Sequence, residues 1–336
     1  MSKIKQYIVY VFVFIIIIFI IPALCTKQTK STMANAEQES KEKEEVQSKH
    51  DYTKYGTIKL LHNLSGEIEE IQIDEYLYGV VSAEMPANYE LEALKAQAVA
   101  ARTYTIYQID NNKGKHGEAD ICDDSTCCQA WISKEERMQK WDQDKKEEYW
   151  NKIQTAVNST AGKIITYENE PINAFFHSNS GGKTELASNV WIGGKNLPYL
   201  QSVETSGEEG YTQYSSEVTV SKNELIEKLK LEFSDLKIDY NENDCIKILE
   251  YTESGRVRTV KFGNTEIPGT KVRSLVGLKS TNFSIKIDGD NVIFNVIGYG
   301  HGVGMSQTGA DSMAKLGSNY EEILKHFYTG IEIKDI

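Results

Sequence analysis

The chain has 336 residues, long enough for one large domain or two modest ones, and carries 49 acidic against 37 basic side chains for a formal net charge of −12. An acidic balance without any lysine- or arginine-rich run argues against nucleic acid as a partner. Charge does not favour an anionic cell wall either, so it leaves the remaining classes open. At the N-terminus, Tyr7 to Leu24 is an unbroken apolar run, long enough to span a bilayer as a helix. Lys3 and Lys5 precede it and favour an N-inside orientation, although Lys27 and Lys30 on the far side reduce the asymmetry. A cleaved signal peptide fits less well, because the run exceeds an ordinary h-region and no A-x-A site follows. A lipidated Cys25 is disfavoured by the bulky Leu24 before it. The expected order is a cytoplasmic tail (1–6), a single-pass transmembrane anchor (7–25), a charged, disordered tether (26–54) and an extracytoplasmic folded domain (55–336).

GTIKLLHN and GEIEEIQI read as two strands joined by a turn at Ser65-Gly66. They feed a short helix from Asp74 to Glu84, with Asp74 as its cap and Pro86 as its stop. A second helix is expected from about Glu90 to Asp110, with Leu91, Leu94, Ala98 and Ala101 as an apolar stripe. Glu84 falls at the corner between the two, beside Val80, Val81 and Met85. A carboxyl held among apolar groups has a raised pKa and is a candidate general acid. Lys95 and Arg102, two turns apart on one helix face, are candidates to hold an anionic or carbonyl-rich substrate. The plainer reading of all three is a solvated helix end and a wet helix face.

The loop NNKGKHGEADICDDSTCCQAW brings His116, Cys122, Cys127 and Cys128 within thirteen residues, a density typical of metal sites. A Cys122–Cys128 disulfide is the alternative outside the cytoplasm. Lys134 to Ala161 reads as one charged helix ended by Gly162. KIITYE and PINAFFHS are strands around a turn at Asn169, and HSNSGGKTELASNVWIGG follows with His177, Ser178, Ser180 and a glycine pair. An acyl-hydrolase built on Ser180 and His177 lacks the G-x-S-x-G elbow. Trp191 is either a sugar platform or a core aromatic, and Tyr199 in LPYLQSV is a candidate substrate contact.

From Tyr214 to about Asn295 the pattern is strands with one helix, capped by Ser221 in a capping box with Glu224, and Cys245 as a buried small residue. No chemical cluster appears there, so residues 205–295 read as a scaffold subdomain. GYGHGVGMSQTGADSMAKLG, with His301 and Gln307, is a glycine-rich loop entering a helix near Ser306. It lacks the lysine of a phosphate cradle. NYEEILKHFYTG and IEIKDI close the chain as an amphipathic helix and a strand. Without a βαβα rhythm the expected class is α+β: mixed helices and antiparallel strands around a substrate cleft.

EYLYGVVSAEMP, LEALKAQAVAARTYT, the HSNSGG segment, LPYLQSV and the GYGHGVGMSQTG loop together resemble the stage II sporulation protein D family of cell-wall lytic transglycosylases and amidase enhancers. The likeness extends over most of the chain after residue 55. It implies that Glu84 is the catalytic acid, that Lys95, Arg102 and Tyr199 matter for activity, and that His177, Ser180, His301 and Gln307 lie along the substrate cleft. It further implies a structural Zn²⁺ on His116, Cys122 and Cys128, with Cys127 as fourth ligand or spare thiol. The implied activity is cleavage of peptidoglycan glycan, preferably stripped of stem peptides, to 1,6-anhydro ends during spore engulfment. The implied setting is the mother-cell membrane facing the septal space, with a cell-wall amidase and a polytopic membrane protein as partners. A non-catalytic amidase activator is the rival reading. A zinc peptidase is disfavoured by the Cys-rich ligand set and the missing H-E-x-x-H.

Overall fold

The computed structural model describes residues 51–191 and 197–336. The expected anchor at 7–25 and most of the tether lie outside the described residues. Among those described, no helix is long and apolar enough to cross a membrane.

The fold is α+β. β1 (Thr57–Leu61) and β2 (Ile68–Gln72) form an antiparallel hairpin in which Thr57 faces Gln72 and Leu61 faces Ile68. β2 passes directly into α1 (Ile73–Glu84). Asp74 is not the cap of this helix. It lies in the first turn, where the N-terminal dipole favours a carboxylate, and its Oδ1 takes Arg102 at 3.0 Å and the Tyr52 hydroxyl at 2.8 Å. Met85 is extended ahead of Pro86 and ends the helix.

α2 (Leu91–Asn111) is the central element. Its small side chains let neighbours approach from every side, and from Ala96 to Ile106 every residue is buried. In place of the expected single apolar stripe, the middle of the helix is enclosed on every side. Replacing Leu94 there by alanine would cost about 3 kcal/mol.

β3 (Ile121–Cys122) pairs parallel with β1. The expected continuous helix over 134–161 is two: α3 (Lys134–Lys140), capped by Ser133, and α4 (Lys146–Asn158). The chain becomes extended at Trp141 between them. β4 (Lys163–Tyr167) and β5 (Glu170–Pro171) meet at a two-residue turn where Glu168 and Asn169 both have positive φ, which suits the right-handed twist of a hairpin. β6 (Phe176–His177) and α5 (Ala187–Val190) complete the first part.

Residues 215–297 gather around a hydrophobic cluster of their own, including Leu225, Val260, Phe262, Ile267 and Phe294. It holds β7 (Ser215–Ser221), α6 (Lys222–Lys230), β8 (Ile246–Tyr251), β9 (Val257–Phe262), β10 (Thr265–Pro268), α7 (Gly269–Val276), β11 (Asn282–Asp288) and β12 (Asn291–Ile297), in sheets ordered β10-β9-β8 and β11-β12-β7. At Ser221 only half of the expected capping box forms. Its hydroxyl takes the Glu224 N–H, while the Glu224 carboxylate pairs with Lys228.

The chain then returns to the first core. β13 (Met305–Ser306) pairs parallel with β6 and opens α8 (Gln307–Lys315). α9 (Tyr320–Phe327), with a reciprocal capping box between Asn319 and Glu322, precedes β14 (Glu332–Asp335), which lies antiparallel beside β4.

Candidate active site

α1 ends in a cleft of about 440 Å³ with Glu84 in its wall. Several separate parts of the chain supply the rest. The corner after the helix gives Met85 to Tyr89, the α3–α4 region gives Arg137, Trp141 and Tyr149, and Ser178, Gln213, Tyr299 and Gln307 close the far side. A second depression of about 550 Å³ shares Pro86, Asn88, Tyr89 and Gln213 and reaches Tyr211 and Lys315, so the site is an elongated groove. Among the described residues, Glu84 is the one carboxylate lining the Glu84 cleft.

Burial pushes the Glu84 carboxyl above the usual carboxylate range. Two donors oppose that: the Ala130 N–H at 2.7 Å from Oε1, and the Gln307 amide. Gln307 is in turn steadied by the Gln97 side chain at 3.4 Å. The group is thus biased toward its acid form while its carboxylate form is not left without donors.

Of the other expected substrate residues, Gln307 alone lines the cleft. Lys95 pairs with Glu92 of its own helix at 2.7 Å. Arg102 is wholly buried and is tied to Asp74 and to the carbonyls of Val157, Thr160 and Lys163. Neither cation is among the groups that perturb Glu84. Tyr199 is also buried. Its hydroxyl accepts from the Asn173 N–H, and burial pushes it up to about 12. Arg102 and Tyr199 are enclosed by the core and do not line the cleft.

His177, Ser180 and His301 sit behind the cleft wall. The His177 Nδ1 meets the Val303 carbonyl at 3.1 Å, and burial, with Arg256 nearby, lowers its pKa to about 4. His301 accepts from the Val303 N–H and lies against Phe175, His177 and Trp191. Ser180 is held by Glu208, a buried carboxylate with no obvious place in any motif. Glu208 takes the Ser180 hydroxyl at 2.5 Å, the Ser180 and Gly182 N–H groups, and the hydroxyls of Thr205, Ser306 and Thr308. These bonds depress its pKa to about 2, against the opposing effect of burial. Glu208 thereby clamps the HSNSGG loop to the start of α8, immediately beside Gln307.

The ligand atoms of His116, Cys122, Cys127 and Cys128 all lie within 4.8 Å of one another, and the cysteines are free thiols. The expected disulfide alternative is not formed. Four N and S donors this close fit a tetrahedral zinc ion, whose ligands stand about 2.0–2.3 Å from the metal. Cys127 belongs to the cluster on the same footing as the other two cysteines. The loop continues through Gln129, which donates to Tyr76 and Thr105, to the Ala130 N–H on Glu84. Gly79 makes room for this return, because a Cβ there would lie 2.2 Å from Trp131 Nε1.

Sequence reasoning missed Arg137, Trp141, Tyr149 and Glu208. The aromatics standing in an otherwise charged stretch were the signal for the first group. Nothing local marks Glu208.

The family model described as Stage II sporulation protein matches residues 62–167. The chain is 36% identical over 280 residues to Stage II sporulation protein D of Bacillus subtilis (strain 168), covering 83% of this chain and 79% of that one. It is 35% identical over 269 residues to the Bacillus amyloliquefaciens protein of the same name, covering 80% and 76%. An amidase enhancer of B. subtilis is 28% identical over 307 residues, covering 76% of this chain and 39% of that one.

Proposed function

The chain belongs to the stage II sporulation protein D family, and from that premise we propose that it is a membrane-anchored lytic transglycosylase acting on peptidoglycan glycan strands during spore engulfment. The observation that carries this reading is a single carboxyl, biased toward its acid form, in an elongated groove. Glycoside hydrolysis ordinarily employs two carboxylates, one of them to activate water or attack the sugar. An intramolecular route needs one.

Protonated Glu84 gives its proton to the glycosidic oxygen between N-acetylmuramic acid and N-acetylglucosamine as the bond to the anomeric carbon breaks. The muramyl 6-hydroxyl oxygen bonds to that carbon. Its proton passes to the Glu84 carboxylate, restoring the acid and leaving a 1,6-anhydro end. Ala130 and Gln307 stabilise the carboxylate between the two transfers. His116, Cys122, Cys127 and Cys128 would hold a structural zinc that fixes the loop carrying Ala130. The apolar run at Tyr7–Leu24 would anchor the chain in the mother-cell membrane with the catalytic domain facing the septal space. A cell-wall amidase and a polytopic membrane protein are the proposed partners.

The likeness to an amidase enhancer supports a second reading, a non-catalytic module that activates an amidase. Digestion of purified peptidoglycan by the full-length protein in detergent separates the two. The transglycosylase reading expects anhydro ends, one water lighter than hydrolysed ends, and none from Glu84→Gln. An activator would leave glycan uncut and would stimulate an amidase equally well with Glu84→Gln.

A further inference from the structure

Among the described residues, Glu84 and Arg137 are the two charged side chains lining the Glu84 cleft. Arg137 is about half buried and has no ion-pair partner among the described residues, and its buried Nε has no hydrogen-bond partner. Arg102 and Arg256 also leave Nε without a partner, but their terminal nitrogens are held by Asp74, by backbone carbonyls and by Ser254, whereas no ion pair or hydrogen bond among the described residues holds those of Arg137. Arg137 is not the counter-ion of Glu84 either, since Glu84 is perturbed by burial, Ala130 and Gln307 alone.

The guanidinium lies over the Trp141 ring, 4.9 Å from its centroid, and Trp141 is braced edge-on by Tyr149 at 5.6 Å. A guanidinium seated over an aromatic ring is held in place by it, and its N–H groups suit a flat, two-oxygen acceptor. A partly desolvated cation without an anion is costly, and at a cleft wall the missing anion can arrive with the ligand.

We propose that Arg137, seated on Trp141, is the anion-recognising residue of the cleft and takes a carboxylate carried by the muramyl unit of the glycan. This rests on the reading of the cleft as a glycan site. In such a glycan the N-acetylglucosamine units are neutral, so a carboxylate marks the muramyl unit and sets which ring is presented to Glu84. The carboxylate has two sources: the bare lactyl group, or the stem peptide when the lactyl group is amidated.

The test measures binding by calorimetry to the full-length Glu84→Gln protein in detergent, so that nothing is cut. The probes are glycan oligosaccharides with free lactyl groups, the same glycan bearing stem peptides, and a chitin oligosaccharide without carboxylates. The expected result is that one carboxylate-bearing probe binds on the order of tenfold more tightly than the chitin oligosaccharide. Arg137→Gln should erase that preference, and Arg137→Lys should keep part of it. Which probe shows the preference identifies the carboxylate. Equal weakening on all three probes, or no change on any, would overturn the proposal. Thermal melting of each variant confirms that it is folded. Failure to form anhydro ends would sink the transglycosylase reading without touching this result, and the reverse holds as well.

Discussion

The Ala130 N–H donates to Glu84 Oε1 at 2.7 Å, and Ala130 stands two residues after Cys128, so the thiol-rich loop and the acid are one short lever apart. Removing a zinc ion with a chelator should lower the melting temperature, because binding energy at a closed N/S site is folding energy. It should also reduce glycan cleavage, and added Zn²⁺ should restore both. Melting and cleavage that ignore the chelator would remove the metal from the account.

The Glu84 shift predicts the alkaline limb of the activity profile. A donor must be protonated, so the rate falls as pH rises through the raised folded-state pKa. The stability sign is the same: the contribution is present below the ordinary carboxylate pKa and is lost as pH rises through the raised value. A pH–rate profile for the full-length protein on purified glycan checks this. A limb at the unperturbed glutamate value of about 4.3 would contradict it.

Arg102 is assigned to the core, and the consequence separates that assignment from substrate binding. Arg102→Lys keeps the charge but cannot reach Asp74 and three carbonyls from one buried point. It should cost on the order of 3 kcal/mol in urea unfolding. Activity per folded molecule should be retained. A stable variant with a raised KM would return Arg102 to the substrate.

Glu208→Gln leaves several buried donors facing an amide that satisfies fewer of them, a loss on the order of 3 kcal/mol. The native clamp contributes stability that is present above the ordinary glutamate pKa and is lost as pH falls toward about 2. Acid unfolding of the native protein should therefore show a steep loss across that window. In Glu208→Gln that part of the pH dependence should be missing.

Local chemistry made much of the fold legible. The hairpin at Gly66, the helix stopped by Pro86, the turn at Asn169 and the helix starting at Ser306 each depend on a few adjacent residues. The burial of Glu84 was legible for the same reason, since its apolar neighbours are next to it in the chain. The enclosure of Arg102 was not legible because seven-residue spacing identifies a helix face but not what covers it, and an alanine-rich helix can be covered on every side. Glu208 was invisible because its donors come from Ser180, Thr205 and Ser306, which only the fold assembles. Arg137 and Trp141 were hidden by reading 134–161 as one helix, which removes the break that lets them line the cleft.

In the proposed reaction the attacking oxygen comes from the sugar and not from water. Digestion of purified peptidoglycan in water labelled with heavy oxygen tests it directly, with the new ends read by mass. The native protein should give anhydro ends carrying no label, and Glu84→Gln should give no new ends. Labelled reducing ends would contradict it, because they would require a water-activating group that the described cleft residues do not supply.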